Sequence, residues 1–194
     1  MYGANERMLP NERFVNARVG SIPGNDVDSS AMPRHKAVHG HGTQKHNLPI
    51  NQCFGCGPDN PEGMHLKFVY DEPARRVRCK FRLSHRYWGP PKHAHGGIIA
   101  TILDEAMGKV NKFRQVIAVT SEMTVNYLKP TPLGKWLIAE GWEEKVEGRE
   151  HYNLAEIRNA EGEVLAHSRG KFIAVDPERM FAKYLRKNNA KRRG

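Results

Sequence analysis

No run of apolar residues in this chain approaches the ~20 that a membrane-spanning helix needs, and the N-terminus has no continuous apolar stretch of the secretory kind. Glu6, Glu12, Asp26 and Asp28 interrupt the Arg residues that a mitochondrial presequence keeps clear of acids. These lacks set the expectation of a soluble, cytoplasmic protein. Cysteine is scarce, with three in 194 residues, and an odd number makes no disulfide framework. Cys53 and Cys56 stand at Cys-x-x-Cys spacing within CFGCGPDNPEG. As half of a zinc site they would need Cys79 and a histidine to converge on them, because a structural zinc takes four ligands. A tight Gly/Pro loop leading into the first strand accounts for the same residues, so the expectation is no metal.

What is present fits one globular domain with tails: 39% of the residues are hydrophobic and 27% charged. The formal net charge of +10 is unevenly spread. Between Pro177 and Gly194 the residues Arg179, Lys183, Arg186, Lys187, Lys191, Arg192 and Arg193 face only Glu178, so more than half of the excess sits in that short end. No nucleic-acid motif accompanies it, and the expectation is a solvated basic terminus with neither a nucleic-acid nor a membrane partner. Residues 1–51 are rich in Gly, Asn, His, Ser and Pro without sustained periodicity. They read as a disordered extension, and the four histidines of HKAVHGHGTQKH as a flexible stretch without a specific ligand. The organisation expected is this extension, a domain over 52–177, and a basic helix or tail over 178–194.

Order begins near Cys53. From His65 to Tyr70 the apolar residues Leu66, Phe68 and Tyr70 alternate with others, and RVRCKFRL from Arg76 to Leu83 alternates strictly. Both are strand signals, joined as a hairpin through DEPAR. An apolar segment opening HGGIIATILDEAMGK follows. Four more strand candidates come next, VIAVTSEMTVNYL, WLIAEGWEEKV, REHYNLAEIRN and EVLAHSRGKFIAV, separated by turn signals at KPTPLG, VEG and NAEG. A final short helix is expected around Glu178 to Lys187. Strands on either side of one long helix argue for an α+β domain with an antiparallel sheet packed on that helix.

At ~100° per residue, Ile98, Ile99, Ile102, Leu103, Ala106, Met107 and Val110 fill an arc of roughly 200° on that helix, wide enough that a sheet must wrap around it. Thr101, Asp104, Glu105, Gly108 and Asn111 share the remaining sector. From spacing alone the two acids read equally well as solvent-facing residues or as chemistry. Gly96 and Gly97 tip the balance, because they expose unpaired N–H groups and the positive end of the helix dipole without side-chain obstruction. Such donors can hold a developing oxyanion, and a carboxylate nearby supplies a base or nucleophile. Thr120, in the next strand, is placed to hydrogen-bond an attacking water.

HGGIIATILDEAMG resembles the helix motif of the hotdog-fold thioesterase superfamily, in particular the phenylacetyl-CoA thioesterase type and the mammalian acyl-CoA thioesterase members. The resemblance runs from about Cys53 to Pro177, through NYLKPTPLG, KVEGR and the closing strand. It implies a hotdog fold, an antiparallel sheet wrapped around one central helix. It also implies that Gly96 supplies the oxyanion N–H, that Asp104 is nucleophile or general base, and that Thr120 positions water. His95 matches the motif histidine, which shapes the pocket and contacts substrate beside Gly97; a histidine that simply caps the helix entrance carries equal weight. Asn126 and Arg149 match positions that contact coenzyme A, and Lys129 falls one position from another because Leu128 stands where a Lys is expected. Glu105 follows Asp104 where relatives often have Ala or Thr, and no role attaches to it.

The resemblance further implies a homodimer or a dimer of dimers, each active site combining the helix start of one chain with the acid of the other. The function expected is hydrolysis of an acyl-CoA, or acyl carrier protein, thioester to free acid without a metal or redox cofactor. A non-catalytic acyl-CoA sensor on the same fold is the alternative.

Overall fold

In the computed structural model, which describes residues 51–180, sequence alternation turns directly into a layered sheet. The expected N-terminal extension, its histidine cluster and the basic tail past Met180 lie outside the described residues. Strand β2, Arg76–Arg82, buries Val77, Cys79 and Phe81 and turns Arg78, Lys80 and Arg82 to solvent, the period-two pattern of a half-buried strand. Strand β1, Val69–Asp71, pairs with it antiparallel. It is shorter than the expected His65–Tyr70 run. His65 takes a left-handed φ of 52°, and the Leu66 N–H turns back to the Gly55 carbonyl at 2.9 Å instead of joining β2.

The four later strands are β3 (Ile117–Tyr127), β4 (Trp136–Glu147), β5 (Glu150–Arg158) and β6 (Val164–Val175). With β1 and β2 they form one sheet in the order β1-β2-β4-β5-β6-β3, antiparallel throughout. Strand β3 therefore occupies an edge, with β6 as its neighbour, although it directly follows the helix in sequence. A short helix α2, Pro177–Met180, ends the described chain. It begins where the C-terminal helix was expected, and the rest of that expectation lies outside the described residues.

The central helix α1, Gly96–Val110, buries Ile99, Ile102, Leu103, Ala106, Met107 and Val110 against this sheet. Each such aliphatic side chain contributes roughly 1.5–3 kcal/mol relative to exposure. Close approach is possible because β4 carries Gly141 under the helix: a Cβ there would lie 2.6 Å from the Ala106 carbonyl oxygen. At the helix end, the amide of the buried Asn153 donates to the Met107 carbonyl at 3.0 Å and to Asn111 Oδ1 at 2.9 Å. Asn111 is thus not in the polar sector where its helical angle puts it. It is 3% exposed, because the chain tightens into a 3₁₀ turn, Asn111–Arg114, at that point. This antiparallel sheet around one long helix is the hotdog arrangement.

Candidate active site

The start of α1 is shaped by His95. Its backbone is extended, with φ −65° and ψ 136°, and its Nδ1 accepts the Gly97 N–H at 3.0 Å, so it is the N-cap residue. That bond removes the Gly97 N–H from the oxyanion donors anticipated there. The N–H groups of Ile98 and Ile99 both turn to the His95 carbonyl. The Gly96 N–H has no acceptor among the described residues, and Gly96 borders a groove with His93, Ile99, Leu128, Lys129 and Thr131. The dipole of α1 points its positive end at this N–H. Tyr127 donates its hydroxyl to the Gly96 carbonyl at 3.0 Å and thereby orients the peptide that follows.

Eight residues further along α1, Asp104 meets β3. Thr120 Oγ1 donates to Asp104 Oδ1 at 2.7 Å. Burial raises the Asp104 pKa above the usual carboxylate range, the Thr120 bond works against that rise, and the neighbouring Glu105 charge adds to it. The pair opens on a pocket bounded by Gly108, Lys109, Ala118, Val119 and Phe172. A carboxylate whose proton affinity is raised while it remains hydrogen-bonded is suited to act as a base near neutral pH.

A bulge explains why Thr120 and Tyr127 face the same helix although their spacing is odd. The β3–β6 register shifts between Thr120 and Glu122, leaving Ser121 outside the ladder. Before the bulge Ala118 and Thr120 point inward; after it Met123, Val125 and Tyr127 do, and Met123 and Val125 pack on the core. Period-two reading of an unbroken strand assigns Thr120 and Tyr127 to opposite faces, so Tyr127 carries no signal in the sequence.

Within one chain the two halves of the chemistry do not meet. From Gly96 to Asp104 the helix rises about 12 Å at ~1.5 Å per residue, whereas reacting groups must approach within about 3–3.5 Å. The coenzyme A contacts are equally divided. Lys129 follows the end of β3, borders the Gly96 groove and pairs with Glu163. Arg149 sits in the turn between β4 and β5, its Nε donating to the Ala174 carbonyl at 3.0 Å. Ala174 pairs with Ala118 at the start of β3, so roughly 30 Å of strand separates Arg149 from Lys129. Asn126 is exposed near the Lys129 end.

Glu105, to which the sequence attaches no role, has one here. It accepts a hydrogen bond from Cys53 Sγ at 3.0 Å and lies 3.5 Å from Lys109 Nζ, which itself donates to Cys56 Sγ at 2.8 Å. The CFGC loop sits so closely on this side chain that a Cβ at Gly55 would come within 2.4 Å of it. Burial pushes the Cys56 thiol up to about 12, against the pull of the Lys109 ammonium. Cys79 is elsewhere, 1% exposed on β2, with burial raising its pKa to about 11. The convergence of Cys79 and a histidine on CFGC, which a zinc reading of the sequence required, does not occur among the described residues; a glutamate from α1 stands there instead.

Residues 91–166 match the family model described as the thioesterase superfamily. Acyl-coenzyme A thioesterase THEM4 of Xenopus laevis is 33% identical over 116 residues, which are 59% of this chain and 52% of that protein. The chain spans about half the length of the curated relatives it matches. A crystal structure of a thioesterase superfamily protein is 30% identical with a TM-score of 0.60, covering 63% of this chain and 60% of that one. The smu.793 protein of Streptococcus mutans, whose crystal structure is bound to acetyl CoA, shares the fold at 22% identity and a TM-score of 0.53, covering 57% and 88% of the two chains. No helix among the described residues is long and apolar enough to cross a membrane.

Proposed function

We propose that the chain is an acyl-CoA thioesterase of the hotdog-fold thioesterase superfamily, the family whose model residues 91–166 match, using water to convert an acyl-CoA to a free carboxylate and coenzyme A. The observation that carries this reading is the pairing of a Gly96 N–H without an acceptor among the described residues, at a helix start, with a half-buried, Thr120-bonded Asp104 on the same helix. The naming of relatives as acyl-coenzyme A thioesterases and the acetyl CoA bound by a protein of this fold support it.

In the proposed reaction the thioester carbonyl oxygen points at the Gly96 N–H, where backbone donor and helix dipole stabilise the tetrahedral oxyanion. Asp104 takes the proton of an attacking water, or attacks the carbonyl itself, while Thr120 holds the carboxylate and the water in line. Collapse of the intermediate expels the coenzyme A thiolate, which takes up the proton held by Asp104 when that group serves as base. When Asp104 is the nucleophile, the acyl–Asp104 anhydride left behind is cleaved by water, which returns the carboxylate, frees the acid and supplies the proton to the thiolate. His95 fixes the helix start and borders the acyl group. No metal or redox cofactor enters these steps, and three free cysteines suit a reducing compartment such as the cytoplasm.

The ~12 Å between Gly96 and Asp104 supports a homodimer, or a dimer of dimers, as the form of the proposed enzyme, with a second chain completing each site. Antiparallel pairing of two β3 edges about a two-fold axis sets the Tyr127 end of one strand beside the Thr120 end of the other. Gly96, Asn126 and Lys129 of one protomer then share a site with Asp104, Thr120 and Arg149 of its partner. Lysine and arginine together suit the phosphates of coenzyme A.

Hydrolysis of short, medium, long and aromatic acyl-CoA thioesters, followed by thiol release for the protein and for Asp104→Asn, tests the reading. Turnover lost in the variant is expected. Tight acyl-CoA binding with no turnover in either protein would make it a sensor, and acyl carrier protein thioesters would be the remaining substrates if neither occurs.

A further inference from the structure

Among the described residues, Cys53, Cys56 and Glu105 form a cluster outside the proposed catalytic groups that combines two thiols with one carboxylate, their donor atoms all within 4.8 Å of one another. We propose that these three residues bind one thiophilic divalent cation of the zinc type, pinning the CFGC loop to helix α1. This inference is independent of the thioesterase reading.

Three features of the structure carry it. The Cys-x-x-Cys segment is a closed turn, with the Gly57 N–H donating to the Cys53 carbonyl at 2.9 Å, and it brings two sulfurs to one side of the loop. The third donor comes from a rigid element far away in sequence, so a bound ion would tie the loop to the helix, with three protein ligands where a closed structural zinc has four. The fit between the two is tight enough to exclude a side chain at position 55. All three residues are partly buried, which shields a bound ion from bulk solvent.

The donor set selects the ion. Thiolates favour soft or borderline cations over calcium or magnesium, which prefer all-oxygen cages. Binding displaces one proton from each thiol, so M²⁺ with two thiolates and one carboxylate leaves a net charge of −1. Lys109 already donates to Cys56 Sγ at 2.8 Å, and from that place its ammonium neutralises the assembly as an outer partner of the ligand sulfur.

The test is a Co²⁺ titration of the reduced full-length protein, followed by back-titration with Zn²⁺. Sulfur-to-cobalt charge-transfer absorption saturating at one ion per chain, and erased by Zn²⁺, is expected. The signature belongs to thiolates, so histidines in the N-terminal segment cannot produce it. In Cys53→Ser/Cys56→Ser the band should vanish while the far-ultraviolet circular dichroism stays that of the parent. In Glu105→Gln the band should survive with affinity lowered by about tenfold or more. Absence of the band in the parent protein, its persistence in the double variant, or unchanged affinity in Glu105→Gln would each overturn the assignment. If the double variant does not fold, the parent spectrum and Glu105→Gln decide alone.

Discussion

Thr120 holds Asp104 across 2.7 Å, from the last inward position of β3 before its bulge to the middle of α1. This bond couples the edge strand to the helix and moderates the proton affinity of the acid, opposing the larger rise that burial imposes. Replacing Thr120 with Val keeps the shape and removes the donor. The expected result is a fall in kcat on the order of 10²-fold. The acid limb of the pH–rate profile should also move to higher pH, because the influence that lowers the Asp104 pKa is gone. An unchanged acid limb would mean that Asp104 is not the titrating base.

Asp104 should also cost stability where it is ionised. Its folded pKa is raised above 3.8, so between that value and the raised one the native state keeps a proton that the unfolded chain has released. Stability therefore falls as pH rises through that window, and the penalty persists above it. Asp104→Asn retains an oxygen to accept from Thr120 and removes the charge. It should have a higher Tm than the parent at neutral pH, with the gain vanishing below about pH 4. Thermal unfolding at two pH values measures this, and an inactive variant with higher Tm separates lost chemistry from lost folding.

Gly96→Pro isolates the oxyanion donor. Gly96 is the first helical residue, where proline is well tolerated, and His95 already has the extended backbone that a following proline demands. The substitution removes one N–H and little else. A loss of about 10²-fold or more in kcat with near-parental KM and Tm is expected from steady-state kinetics and thermal unfolding. Parental kcat would remove Gly96 from the mechanism.

The elements were legible because alternation and helical periodicity are strong where one face is buried: RVRCKFRL became β2 and the Ile98 to Val110 stripe became α1. Sheet order was not, since nothing local to β3 says that it pairs with β6 at an edge. Motif chemistry and the resemblance singled out Asp104, Thr120 and Gly96 as candidates; the structure bonds Thr120 to Asp104 and puts Gly96 at the start of the same helix. Tyr127 was hidden by the bulge, which breaks the parity of the strand, and the Gly97 donor was lost to a cap bond that spacing alone leaves open. Glu105 stood out in the sequence but without a role, because its partner Cys53 lies 52 residues before it.

The seating of the CFGC loop on Glu105 makes Gly55→Ala destabilising by roughly 1–3 kcal/mol, the usual cost of overpacking, since its Cβ would meet the Glu105 side chain at 2.4 Å. Shortening Glu105 relieves that clash, so Gly55→Ala/Glu105→Ala should lose less stability than the two single variants together. Urea unfolding of the four proteins gives the coupling, and strict additivity would show that the loop does not rest on Glu105.

The shared site is tested most directly by mixing two inactive proteins, Asp104→Asn and Gly96→Pro, under conditions that exchange subunits. Half of the dimers are then mixed, and each mixed dimer pairs the intact Gly96 of one chain with the intact Asp104 of the other at one of its two sites. Recovery of about a quarter of parental activity is predicted. Mixtures that stay as inactive as their components, with exchange verified by mass, would contradict the account.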